Sequence, residues 1–346
     1  MKTMISPRFC PKPSLILFVL GLLSSSPISG FAYTPKNTVV ATITVGTLPF
    51  SLAVGPDSST VYVGNEVSNS ISGIDTATNE VGFTISVSGQ PFYLALTPDG
   101  KGIYCTLLSS NADLEFSTVT HHLVQSYATG SSPGPQAISP GGSLVYISNY
   151  NDGTLTVISN GTLLSPISVG GNPTAVIFSP DGSKAYVANQ TFPPYYISII
   201  DTATNTVSGT INSNVPYPFG GLAFSPNGTK LYFTGISSTG QPVVVIIDTA
   251  TNTFTDTIVL RKSTRLLPGQ PAITPNGKFL YVPLGNGRNY PRDDTVAMIR
   301  TATNKLAGQV VVGIDPTSVA IAPDGKYAYV ANYLGGTVSV IDITPK

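Results

Sequence analysis

The chain has 346 residues and 41% hydrophobic content, enough for one large buried core or two ordinary ones. Charged residues make up only 10%, against roughly 25% in soluble domains generally. Formal charge is zero, with 17 basic and 17 acidic residues, which excludes recruitment of a polyanion by global charge. Gly (34) and Pro (29) are abundant and Trp is absent. That composition implies many short strands joined by tight turns and is too apolar for disorder.

Residues 1–32 read as an export signal. Lys2, Arg8 and Lys12 precede an uncharged apolar run from Leu15 to Leu23, and Gly30 and Ala32 are placed for a small-x-small cleavage site. Cleavage is expected after Ala32, with Gly30 as the alternative. The run is about half the length that spans a bilayer, so no membrane anchor is expected after cleavage. Cys10 precedes the run, where a lipoprotein cysteine would follow it. The expectation is a secreted, periplasmic or cell-surface protein with a short linker at 33–37 and a single domain over 38–346. Cleavage leaves 14 basic residues against 17 acidic ones and only Cys105, so no intramolecular disulfide forms. The strand Ile103-Tyr104-Cys105-Thr106 makes that cysteine a buried small hydrophobe.

A turn signature then recurs down the chain: Pro56-Asp57, Pro98-Asp99-Gly100, Pro140-Gly141-Gly142, Pro180-Asp181-Gly182, Pro226-Asn227-Gly228, Pro275-Asn276-Gly277 and Pro323-Asp324-Gly325. Successive prolines are 42, 42, 40, 46, 49 and 48 residues apart. Proline sets φ at the first turn position, and Asp, Asn or Gly tolerate the positive φ that follows. Each signature leads into an alternating strand, such as Lys184 to Asn189. A second strand follows, ending in an acidic turn such as Asp201-Thr202-Ala203-Thr204-Asn205, then a third strand such as Thr206 to Ile211. A fourth, such as Thr174 to Phe178, runs into the next proline turn. Four short strands per repeat of 40 to 50 residues is the pattern of a propeller blade. Seven turns predict an all-β, seven-bladed β-propeller with four antiparallel strands per blade. The last repeat stops after Ile341-Asp342-Ile343 without its final strand. Thr38 to Val45 matches that missing pattern and is expected to complete the last blade, closing the ring and removing open sheet edges.

The strings Tyr186-Val187-Ala188-Asn189, Tyr329-Val330-Ala331-Asn332, Thr337-Val338-Ser339-Val340-Ile341-Asp342 and Asp201-Thr202-Ala203-Thr204-Asn205 resemble the YVTN β-propeller repeat. That family includes surface-layer-like proteins and periplasmic propellers. The resemblance covers the chain from about Thr38 to its end and implies fold rather than function, because these residues are turn and strand chemistry. Blades two and three depart most, with Ser117-Thr118-Val119-Thr120 and Ile158-Ser159-Asn160-Gly161 in place of the acidic turn.

Most carboxylates are explained by architecture. Asp57, Asp99, Asp181 and Asp324 sit in the proline turns, and Asp75, Asp201, Asp248 and Asp342 open the second turn, where a side-chain oxygen accepts backbone N–H bonds. Asp113 with Glu115, and Asp293 with Asp294, are the remaining close pairs; the second pair reads as a solvated loop. His121 and His122 are the only histidines and read as surface residues. No nucleophile elbow or P-loop is present. No catalytic residue, metal or cofactor is therefore assigned.

Loop length is the informative deviation. The segments Gln190 to Tyr196, Asn212 to Gly221, Leu260 to Gln270 and Leu284 to Asp294 are long and should emerge on one face over blades four to six. They carry Tyr195, Tyr196, Tyr217 and Tyr290 with Arg261, Lys262, Arg265, Arg288 and Arg292. Basic and aromatic groups together suit an anionic glycan, single-stranded nucleic acid or a protein partner, through charge-assisted hydrogen bonds and stacking. The function expected is an exported binding or surface protein with its ligand on that face. Two alternatives are a propeller hydrolase, lactonase or lyase acting at the channel mouth, and a surface-layer or adhesion component.

Overall fold

One tyrosine per repeat sets the frame. Tyr62, Tyr104, Tyr146, Tyr186, Tyr232, Tyr281 and Tyr329 all sit on the second strand of their blade and are at most 6% exposed. In the computed structural model, residues 34–190, 195–213, 220–262, 266–285 and 294–346 are described; the predicted signal peptide, 1–32, lies outside them.

The strands form seven antiparallel sheets. Blade 1 is β2 (Pro49–Val54), β3 (Thr60–Asn65), β4 (Ser70–Asp75) and β5 (Glu80–Ser86). Blade 2 is β6 (Pro91–Leu96), β7 (Gly102–Leu107), β8 (Ala112–Ser117) and β9 (Leu123–Ala128). Blade 3 is β10 (Pro133–Ile138), β11 (Leu144–Asn149), β12 (Thr154–Ser159) and β13 (Thr162–Ser168). Blade 4 is β14 (Asn172–Phe178), β15 (Lys184–Gln190), β16 (Tyr195–Asp201) and β17 (Thr206–Ser213). Blade 5 is β18 (Leu222–Phe224), β19 (Lys230–Ile236), β20 (Pro242–Asp248) and β21 (Thr253–Val259). In blade 6 the inner strand is split into β22 (Leu267–Pro268) and β23 (Ala272–Ile273), both paired to β24 (Phe279–Gly285), followed by β25 (Thr295–Arg300) and β26 (Lys305–Val311). Blade 7 is β27 (Pro316–Ile321), β28 (Tyr327–Asn332) and β29 (Thr337–Asp342), completed by β1 (Thr38–Thr44). The pairing runs from Thr38 opposite Asp342 to Thr44 opposite Thr337, so the ring closes as the sequence predicts. Pro35 bridges Pro345, and Lys36 pairs with Asp342 at 3.1 Å. The fold is an all-β, seven-bladed propeller.

The proline turns need one correction. Positive φ falls on the glycine, 68 to 75° at Gly100, Gly142, Gly182, Gly228, Gly277 and Gly325, and on Ser58 in blade 1. The preceding Asp or Asn instead accepts the N–H two residues on, as Asp99 does from Lys101 (3.1 Å) and Asn276 from Lys278 (3.0 Å). In the acidic turns Asp75, Asp201 and Asp248 accept two backbone N–H groups each. The turn ends on a left-handed asparagine: Asn79, Asn205, Asn252 and Asn304. Two of these asparagines tie neighbouring blades. The Tyr146 hydroxyl donates to Asn205 and that of Tyr186 to Asn252 (3.3 Å). Aliphatic and aromatic clusters fill the seams between successive blades.

A second repeated network is polar. Asn65, Asn149 and Asn332 end their strands and Asn189 stands one residue before the end of β15; all four are fully buried, and each donates to a hydroxyl on the next strand. Gly46, Gly130 and Gly313 stand where a Cβ would collide with Asn65, Asn149 and Asn332, so the linker between blades must be glycine there.

Candidate functional site

Antiparallel order puts the connections between second and third strands on the same face as the links between blades: the Glu66 N–H donates to Leu48 O (3.0 Å) and the Tyr333 N–H to Asp315 O (2.9 Å). On this face the central channel opens into a cup of about 510 Å³. Its wall is aromatic. Phe50 and Phe92 stack with centroids 4.1 Å apart, while Tyr93 and Tyr333 meet Phe50 edge-on at 5.3 and 5.8 Å.

The inner strands aim these rings. Each of β2, β6, β14 and β27 opens on a proline, or one residue before it, and then slips register by one residue. The residue in the bulge is Phe50, Phe92, Thr174 and Thr317 respectively. A bulge re-aims the side chain it carries. Blades 1 and 2 put phenylalanine there, and Phe50 and Phe92 line the channel mouth. The Thr317 hydroxyl donates to Phe50 O (2.7 Å), holding the bulge of blade 1 against blade 7. Gln136 of blade 3 donates to Tyr93 O (3.1 Å). Burial pushes the Tyr93 hydroxyl well above the usual tyrosine range, opposed by its hydrogen bond with Gln270.

Two carboxylates reach the cup. Glu66, just past β3, accepts the Tyr333 hydroxyl at 2.8 Å, and Asp315 precedes β27. Leu108, Leu267, Pro268 and Pro316 supply more apolar surface. Below lies a narrower space of about 230 Å³ between the inner strands, bordered by Tyr93, Gln136 and Gln270. Depressions of about 410, 320 and 500 Å³ on the opposite face lie between the proline turns of neighbouring blades. They recur with the repeat and are a by-product of it.

The predicted loop residues are distributed as follows. Arg265, Arg288, Arg292, Tyr217 and Tyr290 lie outside the described residues. One described residue flanking each of the segments that carry them borders the cup: Gly220, Leu267 and Gly285. Arg261 lies toward the outside of the ring, donating to Gln309 of β26 at 2.8 and 3.3 Å, and Lys262 is exposed. Tyr195 and Tyr196 open β16, and the Tyr196 hydroxyl donates to Val169 O (3.0 Å). None of these four borders the cup.

His121 takes the left-handed turn position that asparagine holds in other blades (φ 60°) and stacks on Phe83 at 3.8 Å. Asp293 lies outside the described residues. Asp294 is 5% exposed, so the solvated-loop reading of that pair fails for it: the residue stands at the start of β25, inside the blade. Cys105 is buried, and burial raises its thiol well above the usual range. Among the described residues no group of three or more His, Cys, Asp or Glu is placed to hold a metal ion, and no helix is long and apolar enough to cross a membrane.

The cup residues Phe50, Glu66, Phe92, Tyr93, Asp315 and Tyr333 escape sequence reasoning. The available signal was Pro49-Phe50 and Pro91-Phe92-Tyr93, where the matching positions of other blades carry small residues.

Comparison with known proteins agrees with this architecture. The family model described as Lactonase, 7-bladed beta-propeller matches residues 230–346, which hold most of blades 5 to 7. The chain is 31% identical over 164 residues (47% of its length) to the seven-bladed beta-propeller protein Rv1057 of Mycobacterium tuberculosis. It is 30% identical over 88 residues (20% of its length) to hydrazine synthase subunit beta of Kuenenia stuttgartiensis. These matches span 37% and 23% of the relatives' own lengths. Among solved structures, Kuenenia stuttgartiensis hydrazine synthase superposes with a TM-score of 0.78 at 22% identity, covering 93% of this chain and 100% of that one. That likeness carries the fold alone.

Proposed function

We propose that the protein is an exported, YVTN-type propeller that binds a small ligand in the loop-face cup. The observation that carries this reading is the aromatic wall. Blades 1, 2 and 7 each spend a large ring at the channel mouth, and the rings remain partly exposed. Fold stability is served by burying rings in the seams; half-buried rings around a concavity serve stacking. Glu66 and Asp315 add acceptors for hydroxyl or amine donors. An anionic ligand would draw on the arginine-bearing segments whose flanking residues border the cup. The test is ligand-dependent thermal shift against neutral and anionic glycans, oligonucleotides and lactones. A true ligand at 100 times its Kd stabilises by about 2.7 kcal/mol, and the shift should vanish in Phe50→Ser/Phe92→Ser. A ligand that shifts both proteins equally would place the site elsewhere.

A second reading, hydrolysis of a lactone, is favoured by the family model that matches the C-terminal third. It would use Glu66 and Asp315 as the acid and base of the cup. Absence of turnover across a panel of lactones would rule it out, and turnover that survives Glu66→Gln and Asp315→Asn together would rule out this acid–base pair.

A further inference from the structure

Six blades place a buried aliphatic side chain at one position of the third strand: Ile71, Leu155, Ile197, Val244, Val296 and Val338, each at most 1% exposed. In blade 2 that position is Asp113. It is equally buried, and neither carboxyl oxygen has a hydrogen-bond partner. Register sets it opposite Thr106 and Tyr127. Tyr127 and Tyr104 on this face cluster with Val145, Ile147 and Ile158 of blade 3, so Asp113 belongs to the seam between blades 2 and 3.

Among the described residues no cation compensates it there. Its own strand brings Glu115, which already accepts the Tyr127 hydroxyl at 3.0 Å. The flanking strands bring Tyr104, Tyr127 and the Cys105 thiol. The inner three strands of blade 3, β10, β11 and β12, contain no Asp, Glu, Lys, Arg or His, and Tyr146 of β11 packs toward blade 4. Burial, and then the Glu115 charge, hold the Asp113 proton on well above the usual carboxylate range.

We propose that Asp113 makes the seam between blades 2 and 3 an acid-tightened latch, closed while its carboxyl is protonated and opened in preference to the other six seams when it ionises. The native group keeps its proton above the ordinary aspartate value, whereas an opened seam releases it. Stability from this group is therefore full below that value and is lost as pH rises toward the raised one. The effect reaches the cup. Thr106, opposite Asp113, accepts the Tyr93 N–H at 3.1 Å, and Gln136 of blade 3 holds Tyr93 O across the seam. Opening the latch frees one wall of the aromatic mouth.

Hydrogen exchange by mass spectrometry, corrected for intrinsic rates, tests this on the full chain from pH 5 to 9. In the wild type, opening across 102–128 and 133–168 should rise by up to about tenfold per pH unit while the other seams stay level. Asp113→Leu, which installs the side-chain class of the other blades, should abolish the rise. The proposal is overturned if all seams share one pH dependence or if the variant keeps the rise. Should the variant fail to fold, the carboxyl carbon shift of wild-type Asp113 decides. A carboxyl still protonated at pH 7 supports the latch, and one titrating in the ordinary aspartate range refutes it.

Discussion

Asn65 offers a quantitative test of what the repeat stabilises. It is fully buried, donates to the hydroxyls of Ser70 (3.2 Å) and Ser72 (2.9 Å), and accepts the Gly46 N–H at 3.1 Å. Asn65→Leu removes all three bonds and leaves three polar groups buried in or beside the seam. An unsatisfied buried group costs about 1–3 kcal/mol, so a total of about 3–5 kcal/mol is expected after partial relaxation. Blade 2 shows how most of the cost is avoided: Leu107, Ala112 and Leu114 occupy the corresponding three positions, an apolar set with no polar side chain to satisfy. The triple change Asn65→Leu/Ser70→Ala/Ser72→Leu should therefore recover most of the loss, leaving about 1–3 kcal/mol for the orphaned Gly46 N–H. Asn332 is the internal control. Its side-chain oxygen has no partner, so Asn332→Leu should cost about 1 kcal/mol less than Asn65→Leu. Urea denaturation of the single, paired and triple variants measures the coupling directly. Additive losses across the three sites would refute the idea that the network is one exchangeable unit.

Other consequences are equally open to measurement. Deleting 33–46 removes β1, exposes β29 and leaves one blade with three strands; the protein should unfold or aggregate, and an unchanged Tm would disprove closure by this strand. His121→Asn with His122→Gln installs the residue other blades use at the left-handed position, so stability should stay within about 1 kcal/mol in thermal melts; a larger loss would mean the Phe83 stack matters more than the turn. The Ser59 N–H holds Asp57 below the usual carboxylate range, the Thr97 hydroxyl Asp99, the Ser179 hydroxyl Asp181 and the Thr251 N–H Asp248. Each contributes stability above the ordinary aspartate value that is lost as pH falls through the lowered one. Replacing all four with Asn, which the proline turns at positions 227 and 276 already carry in place of Asp, should flatten the dependence of Tm on pH below about 4, and an unaltered acid limb would remove these turns from the account.

The architecture was legible because its causes are local and repeated seven times. A proline, an Asx residue and a glycine in succession define five of the seven turns, with Ser58 in place of the glycine in blade 1 and Gly141 in place of the Asx residue in blade 3, and a missing last strand can be matched only to an orphan first one. The tyrosine column recurs at the spacing of the prolines but went unread, and only the structure shows the Tyr146 and Tyr186 hydroxyls reaching the left-handed asparagines of the next blade. What misled was a detail of the turn, where Asx was credited with positive φ that the following glycine supplies.

The cup was not legible for the opposite reason. Phe50, Phe92 and Tyr333 belong to three blades, and Phe50 meets Tyr333 only because the ring closes. Their direction is set by register slips that break the two-residue alternation on which strand reading depends, so a residue that counts as inward or outward in the pattern points instead at the channel mouth. Loop length drew the eye to blades four to six, and three of those four segments contribute a described residue to the cup's rim (Gly220, Leu267 and Gly285), but the rings of its wall come from elsewhere. Blade 2 makes the general point. It replaces the buried asparagine with leucine, as blade 6 does with Leu284, and it alone replaces the aliphatic seam residue with Asp113 and the turn asparagine with His121; it also supplies both Phe92 and Tyr93 to the mouth. Side chains common to all seven blades are accounted for by the ring they build. In a repeat protein the chemistry that distinguishes one molecule from another must therefore sit where a blade departs from its siblings, and here the departures converge on the cup and on the seam behind it.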